Sequence, residues 1–333
     1  MRKDIAIRTA WLYYKENMTQ KEIAERFNLS RSKVVRLLKS VKNEGIVYFH
    51  VRGPLKNCLP LERELISVFN LQDSMVVPLF KEDRIRETLG KAAAQYLETY
   101  LKSGDTLAVG WGRTIHHMAD FICSDEIKDL KIITLYGGLT PALYMNPYDV
   151  GGKLASVFKG YCYYIHAPAI TSSEKLCESF KSDLTVKRAL EMGKEATYSV
   201  VGIGEVSPDA TLVKLGYINL IDLENLLREK AVGDILGQFF NIQGEKVDTD
   251  LHRRNVAFPL ELLREMKNVI GVTGGKNKVS SILGALRGKY IKILITDEET
   301  ANKLLEQKEA IRRYRWKGTS SLDRKKDEKQ KMC

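Results

Sequence analysis

Four glycine-containing loops follow apolar segments that have the length of β-strands. They are Gly110-Trp111-Gly112-Arg113-Thr114, Gly137-Gly138, Gly202-Ile203-Gly204 and Thr273-Gly274-Gly275-Lys276-Asn277-Lys278. In an open α/β sheet, ligands bind beyond the carboxyl ends of the strands, where glycines let backbone amides approach an anion. Thr114 and Lys278 add a hydroxyl and a cation, both suited to a phosphate. A tight turn explains one glycine pair, but four such loops predict a site for a molecule the size of a sugar phosphate.

The residues expected at this site come from all four loops and from one further strand. They are Gly110, Gly112, Arg113, Thr114, Gly137, Gly138, Gly202, Gly204, Asp234, Gly275 and Lys278. Asp234 opens a predicted strand and can accept hydrogen bonds from sugar hydroxyls, although a capping role explains it equally well.

Other phosphate, cofactor and metal sites are not supported. No loop matches G-x-x-x-x-G-K-[ST], and the Gly110–Thr114 loop lacks the third glycine of a dinucleotide fingerprint. His116 and His117 are adjacent, so on a helix they diverge by about 100°. We therefore expect no metal and no cofactor besides the ligand itself.

The N-terminal residues have the pattern of a helix-turn-helix. Thr19 and Glu22 form a capping box, which predicts a helix to about Phe27. Ser30 is a second N-cap, and Gly45 is expected to end the helix that follows. Asn28 lies in the turn, where a positive φ is needed. Residues 46–51 alternate like a short strand, which suggests a wing.

In such a motif the second helix enters the major groove with its first turn against base edges. We expect Ser30, Arg31, Ser32, Lys33 and Arg36 on that face, because Val34 and Leu37 point inward. The three residues that begin the first motif helix are expected to contact phosphates; these are Thr19, Gln20 and Lys21.

Behind this module, strands and helices alternate, which predicts a doubly wound α/β domain with a parallel sheet covered on both faces. The predicted strands are residues 74–78, 106–109, 131–136, 162–166, 198–203, 235–239, 268–272 and 291–296. The predicted helices are residues 61–69, 82–101, 114–123, 154–159, 184–192, 223–229, 260–266, 279–287 and 298–307. We expect a DNA-binding domain in residues 1–52, a linker in 53–60, a ligand-binding and oligomerisation domain in 61–310, and a disordered basic tail in 311–333.

Charge separates the ends of the chain from its body. Residues 1–58 hold 13 Lys and Arg against 5 Asp and Glu, residues 311–333 hold 9 against 3, and residues 59–310 hold 31 against 34. A basic module on a slightly acidic body indicates that one part binds a polyanion. The 5 cysteines lack a C-x-x-C pair, and no apolar run approaches the length of a membrane span. These features predict a cytoplasmic protein with reduced thiols.

Further motifs occur in a fixed order along the chain. They include Ala167-Pro168-Ala169, Leu215-Gly216-Tyr217-Ile218, Val232-Gly233-Asp234-Ile235-Leu236-Gly237 and Ile295-Thr296-Asp297-Glu298. With the helix-turn-helix and the glycine loops, they resemble the SorC family of bacterial transcriptional regulators, which includes DeoR-like and central glycolytic gene regulators. The resemblance covers about residues 5–307.

The resemblance implies a winged-helix-like DNA-binding domain joined to a sugar-binding domain of the sugar-phosphate isomerase and deaminase-like fold. It implies a non-catalytic homo-oligomer, a dimer or tetramer, whose affinity for operator DNA changes when a phosphorylated sugar binds. By position, it assigns Thr114 and Lys278 to the phosphate and Asp234 to the hydroxyls. It also implies a bacterial cytoplasmic location, at the nucleoid when operator-bound, with no membrane partner.

An enzyme, a sugar-phosphate isomerase or deaminase, is the alternative that the body alone suggests. That chemistry needs a general base at the sugar carbon, and only Asp234 and Glu205 are loosely eligible. It would also leave the N-terminal module without a role. The sequence therefore favours a sequence-specific regulator of carbohydrate metabolism genes over an enzyme, and over a DNA-binding protein with a vestigial pocket.

Overall fold

The structure is a computed structural model. Contacts within the chain divide it into a first unit of residues 1–53 and a second unit of residues 54–333. The structure describes residues 2–44, 46–47, 57–78, 82–123, 125–140 and 145–307. Ile46 and Val47 form a bend. The rest of the predicted wing, Gly45 and the basic tail lie outside these residues. The first helix of the second unit begins at Cys58, inside the predicted linker.

The described part of the first unit contains the helices α1 (Arg2–Tyr14), α2 (Gln20–Arg26) and α3 (Arg31–Asn43). Their apolar residues meet in one core, in which Ile23, Val34 and Val41 are fully buried. Asn28, between α2 and α3, has a φ of 52°, as the predicted turn requires. The predicted helix-turn-helix is therefore present, and its geometry follows from local signals in the sequence.

The second unit alternates strands and helices along most of its described length. Its strands are β1 (Asp73–Val77), β2 (Thr106–Val109), β3 (Lys131–Thr134), β4 (Tyr161–Tyr163), β5 (Tyr198–Val201), β6 (Gly204–Glu205), β7 (Ala231–Ile235), β8 (Gln238–Asn241), β9 (Val269–Val272) and β10 (Ile293–Asp297). Its helices are α4 (Cys58–Phe69), α5 (Ile85–Tyr100), α6 (Arg113–Phe121), α7 (Pro147–Val157), α8 (Glu174–Ser182), α9 (Leu184–Lys194), α10 (Thr211–Lys214), α11 (Leu220–Arg228), α12 (Asp250–Arg253), α13 (Leu260–Leu263), α14 (Val279–Arg287) and α15 (Glu298–Glu306).

Seven of the described strands form one parallel sheet in the order β1-β10-β9-β5-β2-β3-β4. From β2 the chain proceeds to β3 and β4 on one side, and it then returns to place β5 on the other side of β2. The gap beyond the ends of β2 and β5 is therefore a topological switch point, where open α/β sheets bind ligands.

Both faces of this sheet are covered, as the apolar strands predict. Leu107 and Val109 of β2 lie in a core cluster with residues of α5, α6 and α7, whereas Ala108 between them lies in a second cluster with residues of α4 and α15. This alternation places one helical layer on each face, and the predicted fold class is confirmed.

One predicted strand is wrong. Residues 235–239 do not form a single strand, because the chain reverses within them and pairs β7 with β8 in antiparallel fashion. Leu236 and Gly237, at the turn, both have positive φ, 54° and 67°, which is the geometry of a two-residue hairpin. β6 joins this hairpin on its other edge, with Gly204 opposite Asp234.

Other differences concern element bounds and omitted elements. The helix predicted from residue 154 begins at Pro147, after an N-cap at Asn146, and the helices α8, α10 and α12 and the short strand β6 are not among the predicted elements. Among the described residues, no helix combines the length and apolar character needed to cross a membrane.

Candidate functional site

The first candidate site is the outer surface of α2 and α3 in the first unit. Its local geometry follows the capping box: Glu22 N donates to Thr19 Oγ1 at 3.3 Å, and Thr19 N donates to Glu22 Oε2 at 2.7 Å. The hydrogen bond from the Thr19 backbone lowers the pKa of the exposed Glu22 carboxyl. This reciprocal cap fixes the start of α2, and with it the positions of Thr19, Gln20 and Lys21.

The start of α3 is fixed in a similar way, because Lys33 N donates to Ser30 Oγ at 3.3 Å. Seven of the predicted DNA-contact residues have exposed side chains and Gln20 is partly buried; the exposed ones are Thr19, Lys21, Ser30, Arg31, Ser32, Lys33 and Arg36. Arg31 Nε donates to Gln20 Oε1 at 3.5 Å, which brings the first turn of α3 to the first turn of α2. The structure thus gathers these residues on one cationic surface.

The second candidate site is a cavity at the switch point of the sheet. It has an empty volume of about 860 Å³, including the part open to solvent. It is bounded by the loops after β2 and β5, the β6–β7 pair, Val272 of β9 and the helix α10. Seven of the predicted ligand residues line it; these are Gly112, Arg113, Thr114, Gly202, Gly204, Asp234 and Lys278.

Lys278 is a central cation of this cavity. Its Nζ donates to the carbonyl oxygen of Ile203 at 2.7 Å. Burial lowers the pKa of the Lys278 ammonium, and the charges of Glu205 and Asp234 oppose that shift. An ammonium held in this way retains two further N–H groups for an anionic ligand.

Asp234 also lines the cavity, from β7, and is only 8% exposed. Gly237 N donates to its Oδ2 at 3.0 Å. Burial raises the pKa of the Asp234 carboxyl to about 6, although the Gly237 amide and Lys278 act against this shift. A Cβ at position 204 would overlap Asp234 Oδ1, so Gly204 is needed for the close approach of this carboxylate rather than for an amide contact.

The structure does not bring four of the predicted glycines into the cavity lining; they are Gly110, Gly137, Gly138 and Gly275. Their amides already have partners. Gly110 donates to Val200 O at 2.8 Å, Gly137 to Val256 O at 3.1 Å and Gly138 to Ala167 O at 2.8 Å.

The fourth amide, that of Gly275, donates to the carboxylate of Asp297 at 3.0 Å and to the Thr300 hydroxyl at 2.8 Å. These four glycines shape the loops, and their amides are not available to an anion.

Three lining residues that the sequence analysis did not single out as ligand contacts are Arg86, Trp111 and Ser207. Trp111 stacks on Tyr136 with ring centroids 5.6 Å apart. The Ser207 hydroxyl is buried and has no hydrogen-bond partner among the residues that the structure describes. Arg86 is the second residue of α5, which follows β1. The sequence pattern that could have identified Arg86 is the one that identified Arg113, namely a basic residue at the start of a helix that follows a strand.

His116 and His117 do not line the cavity. Both approach Asp120 Oδ2, at 3.4 and 3.6 Å, and Lys153 also pairs with that carboxylate. Among the described residues, no group of three or more His, Cys, Asp or Glu side chains has the geometry to hold a metal ion.

Comparison with known proteins places the second unit in a defined family. Residues 53–306 match the family described as "Putative sugar-binding domain". The chain is 35% identical over 310 residues to the transcriptional regulator LsrR of Enterobacter sp. (strain 638), covering 91% of this chain and 93% of that protein. It is 32% identical over 308 residues to the deoxyribonucleoside regulator of Bacillus subtilis (strain 168), covering 91% and 98%.

Solved structures lead to the same grouping. The full-length sorbitol operon regulator SorC of Klebsiella pneumoniae superposes with a TM-score of 0.70 at 25% identity, over 91% of this chain and 99% of that chain. A DeoR family transcriptional regulator of Listeria monocytogenes also superposes with a TM-score of 0.70, at 26% identity, over 74% of this chain and 99% of that chain.

Proposed function

Because the chain belongs to the sugar-binding domain family of SorC- and DeoR-like transcriptional regulators, we propose that a phosphorylated sugar binds in its cavity and changes its affinity for operator DNA. The chain is a transcriptional regulator, and the alternative interpretation as an isomerase or deaminase is not supported, since its relatives are named as regulators. The observation that carries the ligand proposal is one cavity at the switch point that holds both Lys278 and Asp234.

The chemistry of the cavity matches the two ends of a sugar phosphate. Thr114 is the second residue of α6 and Lys278 follows the Gly274-Gly275 pair. A hydroxyl, an ammonium and the first-turn amides of a helix suit a phosphate. Asp234 and the buried Ser207 hydroxyl suit the sugar hydroxyls. We include no metal and no other cofactor in the proposal.

For operator DNA, we assign base contacts to the first turn of α3 and phosphate contacts to the start of α2. Arg31 can bind guanine through two hydrogen bonds, and Ser30, Ser32, Lys33 and Arg36 extend the same face. Thr19, Gln20 and Lys21 would fix the orientation of the motif on the duplex. The exposure of these side chains and their basic character support the assignment.

Regulation requires that the ligand bind one state of the protein better than another. We propose that these states belong to a homo-oligomer in the cytoplasm, because helix-turn-helix proteins place two recognition helices in successive major grooves. Exposed apolar side chains on α11 support self-association: Leu220 and Ile221 are each 69% exposed, and Leu227 is 52% exposed.

Two measurements test the proposal. Selection from a random duplex library, followed by fluorescence anisotropy, should identify a preferred DNA sequence. A sugar phosphate that raises the melting temperature of the protein should also shift the affinity of the protein for that sequence. Failure of the protein to prefer any duplex, with or without a sugar phosphate, would contradict the regulatory proposal. Conversion of sugar phosphates by the purified protein would instead revive the enzymatic alternative.

A further inference from the structure

Two arginines line the same cavity from neighbouring helices. Arg113 is the first residue of α6, and Arg86 is the second residue of α5. Within the part of the chain that the structure describes, neither guanidinium makes a hydrogen bond or an ion pair. Each therefore has N–H donors that can serve a ligand.

Arg86 and Arg113 each lie in the first turn of their helix and line the cavity there. Both helices follow strands of the parallel sheet, so they run in the same direction. They are closely packed at Gly90, where a Cβ would lie 2.6 Å from His117 Cβ. Arg86 precedes Gly90, and Arg113 precedes His117, by one helical turn in each case, and residues so spaced share a helix face. The two side chains therefore flank the same interface, about 5.4 Å closer to the cavity.

The charges of the cavity favour an anion near the two arginines. Burial lowers the pKa of the Arg86 guanidinium, the charge of Arg113 lowers it further, and Glu205 acts in the opposite direction. Asp209, another lining carboxylate, already pairs with Lys214 at 2.7 Å. The carboxylates that remain for three cavity cations are Glu205 and Asp234, and the second of these has its pKa raised. A phosphate dianion would offset the remaining positive charge.

We propose that Arg86 is a further effector-binding residue, which binds the phosphate of the effector together with Arg113 and Lys278. The inference rests on the proposed function, namely that a phosphorylated sugar occupies this cavity. Two guanidiniums on two different helices make the site selective for a terminal phosphate, because a neutral sugar offers them no charge to bind. Arg86 is thus a determinant of specificity for phosphorylated over unphosphorylated sugars.

The test uses the full-length protein and four probes, namely glucose 6-phosphate, fructose 6-phosphate, ribose 5-phosphate and 2-deoxyribose 5-phosphate, each beside its unphosphorylated parent. Calorimetry gives the affinity of the tightest wild-type ligand, which is then measured with Arg86→Gln, Arg86→Lys and the matched control Arg84→Gln. Arg84 caps the same helix but does not line the cavity.

We expect Arg86→Gln to weaken binding of the sugar phosphate about tenfold or more, the scale of one charge-assisted contact. Arg86→Lys should recover part of this loss, and Arg84→Gln should bind like the wild type. If wild type and Arg86→Gln bind the sugar phosphate with equal affinity, the inference about Arg86 fails but the proposed function does not. The same holds if Arg84→Gln loses as much affinity as Arg86→Gln. If none of the four phosphates binds the wild type, the inference and the proposed ligand class both fail.

Discussion

Lys278 Nζ and the carbonyl oxygen of Ile203 are joined by a hydrogen bond of 2.7 Å, although the two residues lie 75 positions apart in the sequence. The bond ties the loop after β9 to the loop after β5. It holds the ammonium in the cavity at the switch point, where Glu205 and Asp234 partly balance its charge. The position of this cation is therefore set by the pairing of the sheet.

Lys278→Ala should abolish the response of operator binding to the sugar phosphate, because the ammonium supplies charge to the phosphate. The Ile203 carbonyl also loses its donor, at a cost of about 1–3 kcal/mol in the free energy of unfolding. An effector titration of operator affinity by anisotropy measures the first effect, and urea unfolding measures the second. The matched control is Lys276→Ala, since Lys276 lies in the same loop but pairs outside the cavity with Glu82 and Glu299. An unchanged titration in Lys278→Ala would remove Lys278 from the site.

Asp234→Asn should change how stability depends on pH. The pKa of Asp234 is raised from 3.8 to about 6 in the folded protein, so between these values the native state binds more protons than the unfolded state. The extra proton bound by the native state contributes to the free energy of unfolding, and this contribution is fully present below about pH 4. It is lost as the pH rises through about 6, which lowers the free energy of unfolding by about 3 kcal/mol at most.

The measurement is the difference in unfolding free energy between the wild type and Asp234→Asn from pH 4 to 7. The difference should fall as the pH rises, whereas the control Asp248→Asn, which changes an exposed carboxyl, should track the wild type. A difference that is constant with pH, or one that rises, contradicts the burial of an ionisable Asp234.

Gly90→Ala should destabilise the second unit by about 1–3 kcal/mol, a usual cost of overpacking. The added methyl group would lie 2.6 Å from His117 Cβ and 2.8 Å from Met118 N, which cannot move without separating α5 from α6. Thermal unfolding of Gly90→Ala and of Gly152→Ala provides the comparison, since the second change meets only the Tyr164 hydroxyl at 3.0 Å. Equal stabilities for the two variants would show that α5 and α6 are not closely packed there.

Arg31→Ala should weaken binding to the selected operator by about 1–3 kcal/mol more than binding to a random duplex, if Arg31 contacts a base. Anisotropy at one fixed salt concentration measures both affinities, because phosphate contacts depend strongly on salt. Lys39→Ala, on the same helix and equally exposed, is the control and should weaken both duplexes alike. Equal losses for Arg31→Ala on both duplexes would reduce its role to a phosphate contact.

The sequence predicted the features of this protein that depend on neighbouring residues. The cap at Thr19, the positive φ of Asn28 and the inward position of Val34 are all as expected. Caps, turns and helical periodicity operate within a few residues, so they can be read without knowledge of the rest of the chain. For the same reason, the alternation of strands and helices predicted a parallel sheet covered on both faces.

Features that depend on strand pairing could not be predicted in this way. The sequence predicts one strand over residues 235–239, because the apolar run through Ile235, Leu236 and Phe239 looks the same whether or not the chain reverses at Gly237 to form the hairpin of β7 and β8. The glycine loops were correctly associated with strand ends. The direction of each glycine amide depends on segments that are distant in sequence. The amide of Gly138, for example, donates to the carbonyl oxygen of Ala167 instead of facing the cavity.

The sequence alone therefore determined that this chain has a helix-turn-helix and an α/β domain with phosphate-suited loops, since both are written in local spacing and composition. Only the tertiary structure decided which loops form the cavity, that Asp234 is buried against Gly204, and that Arg86 and Arg113 line the same cavity. Burial, charge pairing and helix contact are properties of segments brought together by the sheet. They arise only once the strands have taken their order.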